Sequence, residues 1–339
     1  MIVSTPPAGP VNYLTFQTRG GSPLDVLDSA DVIGAFREHG AILFRGFDYD
    51  VHSLSRFTAR FCSRFVRNES GRRGKISSDG TTQTVNLGQE AFPLHPELSR
   101  VPWRPDIAWF ACASAPSSGG ETLVCDGAHI ASGLSASTRE TLSRRSLLYR
   151  EETPVGAFTE WLGLPPPDDR TLALISRDSP FRFERAGNRI FRSFTRPFLD
   201  RALFTESPVF ANFLLFARFM LGTRQFPTFE DGSIISDAIV EEIGSVSEGL
   251  TVAHRWARGD LLMLDNSRFL HGRNPVSYVE EREIWTQFGY AGFLEDDDER
   301  LAEPWRYTDD PLFIFFGPGA LDLRDKLARR IETPAGRLS

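Results

Sequence analysis

The chain has 339 residues, 41% of them hydrophobic and 24% charged, which is ordinary for a globular protein. Its net charge of −7 and isoelectric point near 5.5 exclude a protein that follows nucleic-acid phosphates with a basic face. The three cysteines, Cys62, Cys112 and Cys125, lack the close spacing of a disulfide framework or a thiolate zinc site, which favours a reducing, cytoplasmic location. No secretory signal and no apolar run of roughly 18 residues, as a membrane helix requires, is evident.

The first third of the chain predicts an arrangement of helices and strands. Apolar residues recur at helical spacing over residues 25–39, and Gly40 follows as a typical C-terminal stop. The segment "AILFRGF" (41–47) predicts a short buried strand. Helical periodicity returns over residues 51–65, so we expect a second helix there.

The rest of the chain contains two blocks of predicted strands. β-type runs are expected at residues 106–115, 123–127, 250–256, 259–266 and 282–292. Helical stretches and proline-punctuated loops lie between the blocks. Pairing between strands that are distant in sequence is typical of a jelly roll. We therefore predict one α+β domain over residues 1–339: a double-stranded β-helix (jelly-roll, cupin-like) core, flanking helices, and a helical and loop insert at about 130–248.

Two of the six histidines have the surroundings of a metal site. In "LHPEL", alternate residues of an extended segment point to the same side, so His95 and Glu97 can bind one ion. His271 lies just beyond a predicted strand and supplies a second imidazole. Two histidines and one carboxylate leave three positions open on an octahedral ferrous ion, for a chelating cosubstrate and dioxygen. Structural or surface roles are favoured for the others, namely His39, His52, His129 and His254.

Taken alone, the pattern around His95 favours a solvated turn, because a histidine and a glutamate arise at this spacing often by chance. Two further residues raise the odds of a metal site. Thr122 follows a glycine-rich turn, where a hydroxyl can bind an anion, although a simple turn role also explains it. Arg282 begins a predicted strand, where a buried guanidinium would bind a dicarboxylate end-on, although it could also be a solvated member of "EERE".

The chain resembles the taurine dioxygenase and clavaminate synthase-like superfamily of Fe(II)- and 2-oxoglutarate-dependent oxygenases. The resemblance rests on "GAILFRGF", "HPE", "PDIAWFACASAPSSGGETLVCDG" and "GDLLMLDNSRFLHGRNP", together with Arg282, and covers roughly residues 40–292. It implies that His95, Glu97 and His271 are the iron ligands. It also implies that Thr122 and Arg282 bind the distal carboxylate of 2-oxoglutarate.

Two departures from taurine dioxygenase bear on the substrate. That enzyme has aspartate where this chain has Glu97, and glutamate is typical of the clavaminate synthase and amino-acid oxygenase branch. Its sulfonate-binding arginine corresponds to Thr286 here, which argues against a sulfonate substrate. Related halogenases have a small residue in place of the carboxylate, so Glu97 also argues against halogenation.

The resemblance implies an enzyme that uses Fe(II), 2-oxoglutarate and dioxygen to hydroxylate an unactivated C–H bond, releasing succinate and carbon dioxide. The glutamate in the ligand set favours an amino acid or amino-acid-derived substrate of specialised metabolism, either free or tethered to a carrier protein. Desaturation or cyclisation by the same cofactors stays an alternative. Two other classes are also open: a metal-dependent hydrolase and a non-catalytic jelly-roll binding protein.

Residues beside the ligands and in the insert are candidates for substrate binding. They are Leu98, Arg100, Trp285 and Thr286, with Arg192 and Arg196 in the insert. Arg100 can pair with a substrate carboxylate, although a solvated surface role explains it at least as well. The two arginines of the insert could equally be partners of structural ion pairs.

Overall fold

The computed structural model describes residues 2–8, 12–163, 167–177, 179–317, 321–322 and 324–325. Its strands are β1 (Ile2–Thr5), β2 (Leu14–Pro23), β3 (Ala41–Asp48), β4 (Cys62–Val66), β5 (Gln83–Thr84), β6 (Phe92–His95), β7 (Ile107–Ser114), β8 (Thr122–Asp126), β9 (Ser146–Thr153), β10 (Arg182–Ala186), β11 (Arg189–Pro197), β12 (Thr228–Phe229), β13 (Val252–His254), β14 (Leu261–Asp265), β15 (Phe269–Arg273) and β16 (Glu283–Ala291). Its helices are α1 (Ser29–His39), α2 (Val51–Thr58), α3 (Gly127–Gly133), α4 (Ala136–Ser143), α5 (Val155–Leu162), α6 (Asp169–Ile175), α7 (Leu214–Phe219), α8 (Asp237–Leu250) and α9 (Pro311–Phe316). The fold is therefore mixed α+β, with several antiparallel sheets.

The first predicted helix, over residues 25–39, is confirmed from Ser29 to His39, whereas Leu24–Val26 forms a separate 3-10 turn. The Asp28 carboxylate accepts hydrogen bonds from the Ala30 and Asp31 amides at the start of α1. Gly40 ends the helix at φ 71°, a left-handed conformation that glycine adopts without steric cost.

The second predicted helix is too long. It ends at Thr58, and Cys62–Val66 forms strand β4 instead. The reason is tertiary, because β4 pairs antiparallel with β16, placing Val66 opposite Phe288. Pairing with a distant strand outweighs the local helical periodicity.

The chain divides into two compact units. Unit 1 comprises Met1–Arg100, Arg104–Leu147 and Pro197–Glu295, and unit 2 comprises Val101–Trp103, Leu148–Arg196 and Asp296–Ser339. The single-domain interpretation stays a prediction. The predicted helical insert at 130–248 contains the strands β9 to β12 as well as helices.

Unit 1 contains an eight-stranded sheet in the order β1-β2-β3-β14-β7-β16-β4, with β5 also paired to β16. All its pairs are antiparallel except β2 with β3. The central strands are buried on both faces, which explains their continuous apolar sequences. On β14, for example, Leu262 joins one hydrophobic cluster, whereas its neighbours Leu261 and Met263 join the other. Helices α1 and α2 cover the second cluster through residues such as Phe36 and Phe57.

A second sheet of unit 1, in the order β13-β8-β15-β6, is antiparallel throughout. Its residues Val124 and Phe269 belong to the same hydrophobic cluster as Leu262 of the large sheet. The two sheets therefore share a core, and the small sheet carries the predicted metal ligands at its β6 edge.

Unit 2 contains neighbouring strands β10, β11 and β9, together with α5, α6 and α9. Its core is aromatic. Tyr149 and Phe194 stack at a centroid distance of 4.8 Å, and Trp161 stacks on Phe315 at 3.9 Å. Among the described helices of the whole chain, none is both long and apolar enough to cross a lipid bilayer.

Candidate metal centre

The structure brings His95, Glu97 and His271 together. His95 is the last residue of β6, and His271 lies directly opposite it on β15, so both imidazoles leave the same face of the sheet. Glu97 follows two residues after His95 in the turn. One potential ligand atom from each residue lies within 4.8 Å of the other two. A single ion can therefore contact all three side chains.

His95 is held in the tautomer that can bind a metal through Nε2. The His95 Nδ1–H donates to the Pro93 carbonyl at 2.8 Å, which leaves Nε2 with a free lone pair. The His271 Nε2 lies 3.8 Å from a Glu97 carboxylate oxygen. Burial lowers the pKa of His95 and places the pKa of His271 well below its usual value, and the Arg73 charge lowers both further. Neutral imidazoles are therefore expected at physiological pH.

The backbone of Glu97 is fixed by one fully buried amide side chain. The Glu97 N–H donates to Asn266 Oδ1 at 2.7 Å, and Asn266 Nδ2 donates back to the Glu97 carbonyl at 3.0 Å. The same Nδ2 group also donates to the Pro105 carbonyl at 2.8 Å. Asn266 therefore fixes the turn that presents the ligand carboxylate.

Two residues missed by the sequence interpretation bind the carboxylate itself. Asn68 Nδ2 donates to Glu97 Oε1, and Arg73 Nη2 donates to Glu97 Oε2 at 3.0 Å. Both come from the loop between β4 and β5. The side chains of Arg73 and Glu97 are only 6% and 4% exposed, so this ion pair is buried. The charged segment "RNESGRRG" is typical of a solvated loop, and no pattern within it predicts a contact with the metal ligand.

Aromatic side chains surround the ligands. The Phe216 ring lies 4.7 Å from that of His95, and the Phe110 ring lies 4.8 Å from that of His271. The guanidinium of Arg73 lies over the Phe288 ring at 5.2 Å. These apolar walls limit water around the metal centre and fix the orientation of the imidazoles.

Thr122 lies on the same face of the small sheet as His271. It pairs with Arg273, two residues beyond His271 on β15, and side chains opposite or two apart along antiparallel strands share a face. Thr122 Oγ1 accepts a hydrogen bond from the Trp256 indole at 3.1 Å. Its own O–H is therefore free to donate to an anion.

Arg282 is buried next to the glycine-rich turn before β8. Its Nε–H donates to the Gly120 carbonyl at 3.0 Å, and no carboxylate of the described residues pairs with it. Burial, with the charge of Arg273, lowers the pKa of Arg282 to about 10, so it remains a cation at neutral pH. A Cβ on Gly120 would approach the Arg282 side chain to 2.8 Å. The turn therefore needs glycine at this position.

The donor set fits a ferrous ion, because two neutral imidazole nitrogens and one carboxylate are grouped at the edge of a buried, largely apolar pocket. The model of the taurine catabolism dioxygenase TauD, TfdA family matches residues 5–286, most of the chain. The chain belongs to this family. PvcB, a protein of similar fold, is described as an Fe, α-ketoglutarate-dependent oxygenase. The chain is accordingly an Fe(II)/2-oxoglutarate-dependent dioxygenase that uses dioxygen, as the sequence predicted.

Relatives within and around the family are distant but cover most of the chain. A 3-((Z)-2-isocyanoethenyl)-1H-indole synthase of Fischerella ambigua is 24% identical over 81% of this chain and 91% of its own length. The crystal structure of PvcB from Pseudomonas aeruginosa has a TM-score of 0.56 at 19% identity, covering 85% of this chain and 91% of PvcB. A taurine dioxygenase from Burkholderia xenovorans has a TM-score of 0.55 at 15% identity, covering 86% and 90% of the two chains. A second PvcB structure is described as that of an oxygenase from an isonitrile synthetic pathway.

Of the substrate-binding candidates that the sequence suggested, Thr286 lies nearest the centre of this family's site. It is buried, and its Oγ1 accepts a hydrogen bond from Arg73 at 3.0 Å. Leu98 adopts φ 51°, the one positive φ of a non-glycine residue among those described. The exposed Arg100 guanidinium lies 5.9 Å from the centre of the Phe213 ring.

The remaining candidates make other contacts. Trp285 alternates to the other face of β16, where it packs on the helix-covered cluster and donates to Glu283 at 2.8 Å. Arg192 and Arg196 belong to unit 2. Arg192 pairs with Glu151 at 3.1 Å and lies over aromatic rings of that unit, and Arg196 contacts backbone carbonyls near Val101.

Proposed function

We propose that this enzyme hydroxylates an unactivated C–H bond of an amino acid or an amino-acid-derived substrate in specialised metabolism. The observation that carries the proposal is the convergence of His95, Glu97 and His271 in a buried, aromatic-walled site. Bound iron and 2-oxoglutarate would supply the oxidising power from dioxygen, with succinate and carbon dioxide released. The side chains of the protein would place the target C–H bond and limit access of water.

In this proposal each site residue has a distinct role. His95 and His271 offer neutral nitrogens, and Glu97 offers the anionic oxygen that holds the metal. Thr122 and Arg282 bind the distal carboxylate of 2-oxoglutarate, because a hydroxyl donor and a buried guanidinium without a protein counter-ion favour an anion there. The substrate-binding candidates whose positions in unit 1 support such a role are Leu98, Arg100 and Thr286. Trp285, Arg192 and Arg196 lack such support.

The relatives support an amino-acid-derived substrate. The Fischerella ambigua enzyme is named for a product in which an indole carries a two-carbon link to a nitrogen. An aromatic ring, two carbons and a nitrogen are the skeleton of an aromatic amino acid without its carboxyl group. The link in that name is an ethenyl group, which favours desaturation as the second candidate outcome for this chain. The chemistry of these relatives is compatible with a free substrate and with one tethered to a carrier protein.

We also infer that the two sheets of unit 1 form a double-stranded β-helix. Their shared core and the pairing of β6 with β15 and of β3 with β14, which are far apart in sequence, support this arrangement. A single oxygenase domain with an insert at about 130–248 is proposed with it. The three free, buried cysteines support a reducing, cytoplasmic location.

Anaerobic addition of Fe(II) and 2-oxoglutarate tests the proposed site. We expect a weak visible charge-transfer band in the wild-type protein, and substrate-stimulated release of succinate when oxygen and amino acids are supplied. His271→Ala should lose the band. The matched control His129→Ala removes an exposed imidazole and should keep it. Absence of the band from the wild type, or its persistence in His271→Ala, would be incompatible with the proposal.

A further inference from the structure

The Arg73 guanidinium reaches the metal centre from the loop between β4 and β5. It bridges Glu97 Oε2 and Thr286 Oγ1, both at 3.0 Å, and lies over the Phe288 ring. Its side chain is more than nine-tenths buried. A cation with this degree of burial is stable only with partners for its charge and its hydrogen-bond donors.

The guanidinium has donors to spare at this site. A guanidinium carries five N–H groups in a planar fork, and the described contacts of Arg73 use one Nη2–H and one Nη1–H. The Nε–H is buried and has no hydrogen-bond partner among the described residues. A buried donor without a partner costs free energy, and an oxygen-rich ligand that enters the site would recover that cost.

The charges of the site point to the same kind of ligand. Among the described residues, Glu97 is the counter-ion of Arg73. A divalent cation held by the glutamate and the two histidines takes over that carboxylate. With the charge of Arg282 and a dianionic 2-oxoglutarate included, one positive charge is left over. That charge belongs to Arg73, beside the ion, and a substrate anion would neutralise it.

We propose, resting on the proposed function, that Arg73 is a specificity-determining residue whose guanidinium binds a free carboxylate of the substrate beside the metal centre. A substrate tethered to a carrier protein through a thioester has lost that charge. The site therefore selects free acids over carrier-bound thioesters. Thr286, which accepts from the same guanidinium, fixes the direction in which the donors of Arg73 point.

The test compares ligands that differ only in the chemical form of one carboxyl group. The anaerobic Fe(II) and 2-oxoglutarate complex is titrated with the proteinogenic amino acids and their N-formyl derivatives, each as the free acid, the primary amide and the pantetheine thioester. The readout is the perturbation of the visible band, which reports binding without turnover. In the wild type we expect some acid to bind about 30-fold more tightly than its amide and its thioester, because charge-assisted hydrogen bonds to the carboxylate are lost.

Three variants assign that preference to Arg73. With Fe(II) raised in each variant until the band saturates, Arg73→Met should lose the preference, whereas Arg73→Lys, which keeps the charge, should retain part of it. The control Arg45→Met breaks an ion pair between a partly exposed arginine and the buried Asp260 elsewhere in unit 1, and should keep the preference at lower stability. If Arg73→Met does not fold, the wild type and Arg73→Lys still decide.

Three results would overturn the proposal: equal binding of acids and amides by the wild type, tighter binding of thioesters, or an acid preference that survives in Arg73→Met. A wild-type protein that forms no band at all would refute the proposed function itself. That outcome is distinct from a band that forms and does not discriminate acids.

Discussion

Asn266→Ala should weaken metal binding without any change to a metal ligand. The Asn266 side chain makes three hydrogen bonds, two with the backbone of Glu97 and one with the Pro105 carbonyl. At about 1 kcal/mol each, their loss should lower the free energy of unfolding by about 3 kcal/mol. A typical domain has about 5–15 kcal/mol of stability, so the variant is expected to fold. The freed turn of Glu97 should weaken Fe(II) binding by about 10- to 100-fold, as is usual for residues that orient metal ligands.

Asn212→Ala is the matched control. Asn212 is equally buried and makes two hydrogen bonds, to the Phe198 carbonyl and from the Leu214 amide, neither of which involves a metal ligand. Its loss should cost about 2 kcal/mol and leave Fe(II) affinity unchanged. Urea denaturation gives the stabilities, and anaerobic titration of the visible band gives the affinities. Equal Fe(II) affinity in Asn266→Ala and the wild type, or an equal loss in both variants, would refute the role given to Asn266.

Two further predictions concern backbone geometry and pH. Gly120→Ala should weaken 2-oxoglutarate binding about tenfold, because the added Cβ would press on the Arg282 side chain. The control Gly20→Ala, at a similar φ but in open space, should leave the affinity for 2-oxoglutarate unchanged. Equal affinities of the two variants, measured by titration of the visible band, would contradict this prediction. Burial raises the pKa of Asp265 from 3.8 to about 6, so its stabilising contribution is fully present below pH 3.8 and is lost as pH rises through 6. The free energy of unfolding of Asp265→Asn, measured in denaturant titrations, should therefore rise relative to that of the wild type by up to about 3 kcal/mol between about pH 4 and pH 7.5. Parallel pH profiles of the two unfolding free energies would contradict this.

The parts of the site that lie on or beside strands could be predicted from the sequence. His95 and Glu97 are two residues apart at the end of an apolar strand, and His271 follows another strand across a short turn. Local sequence determines such positions, because strand alternation fixes which side chains share a face. The central strands could be predicted for a similar reason: their burial on both faces requires nearly continuous apolar residues.

Arg73 and Asn68 could not be predicted, because long-range strand pairing determines their positions. The loop that carries them is held between β4 and β5, and both strands pair with β16, more than 200 residues later in the chain. The same pairing converts residues 62–66 from a predicted helix into a strand. The substrate-binding role of Trp285 stays a prediction, and its side chain points to the opposite face of β16 from that of Thr286, because neighbouring residues on a strand alternate.

Two side chains of the β4–β5 loop, those of Asn68 and Arg73, donate hydrogen bonds to the Glu97 carboxylate, so the loop and this ligand can be exchanged only together. An aspartate at position 97 would shorten the carboxylate arm by one carbon–carbon bond, about 1.5 Å, and draw its oxygens away from Asn68 and Arg73. Replacing the glutamate of this metal site by aspartate would thus leave the buried Arg73 without its carboxylate partner, unless the loop were replaced in the same step. Conversely, transplanting the loop together with Glu97 would carry its arginine into another oxygenase of this fold.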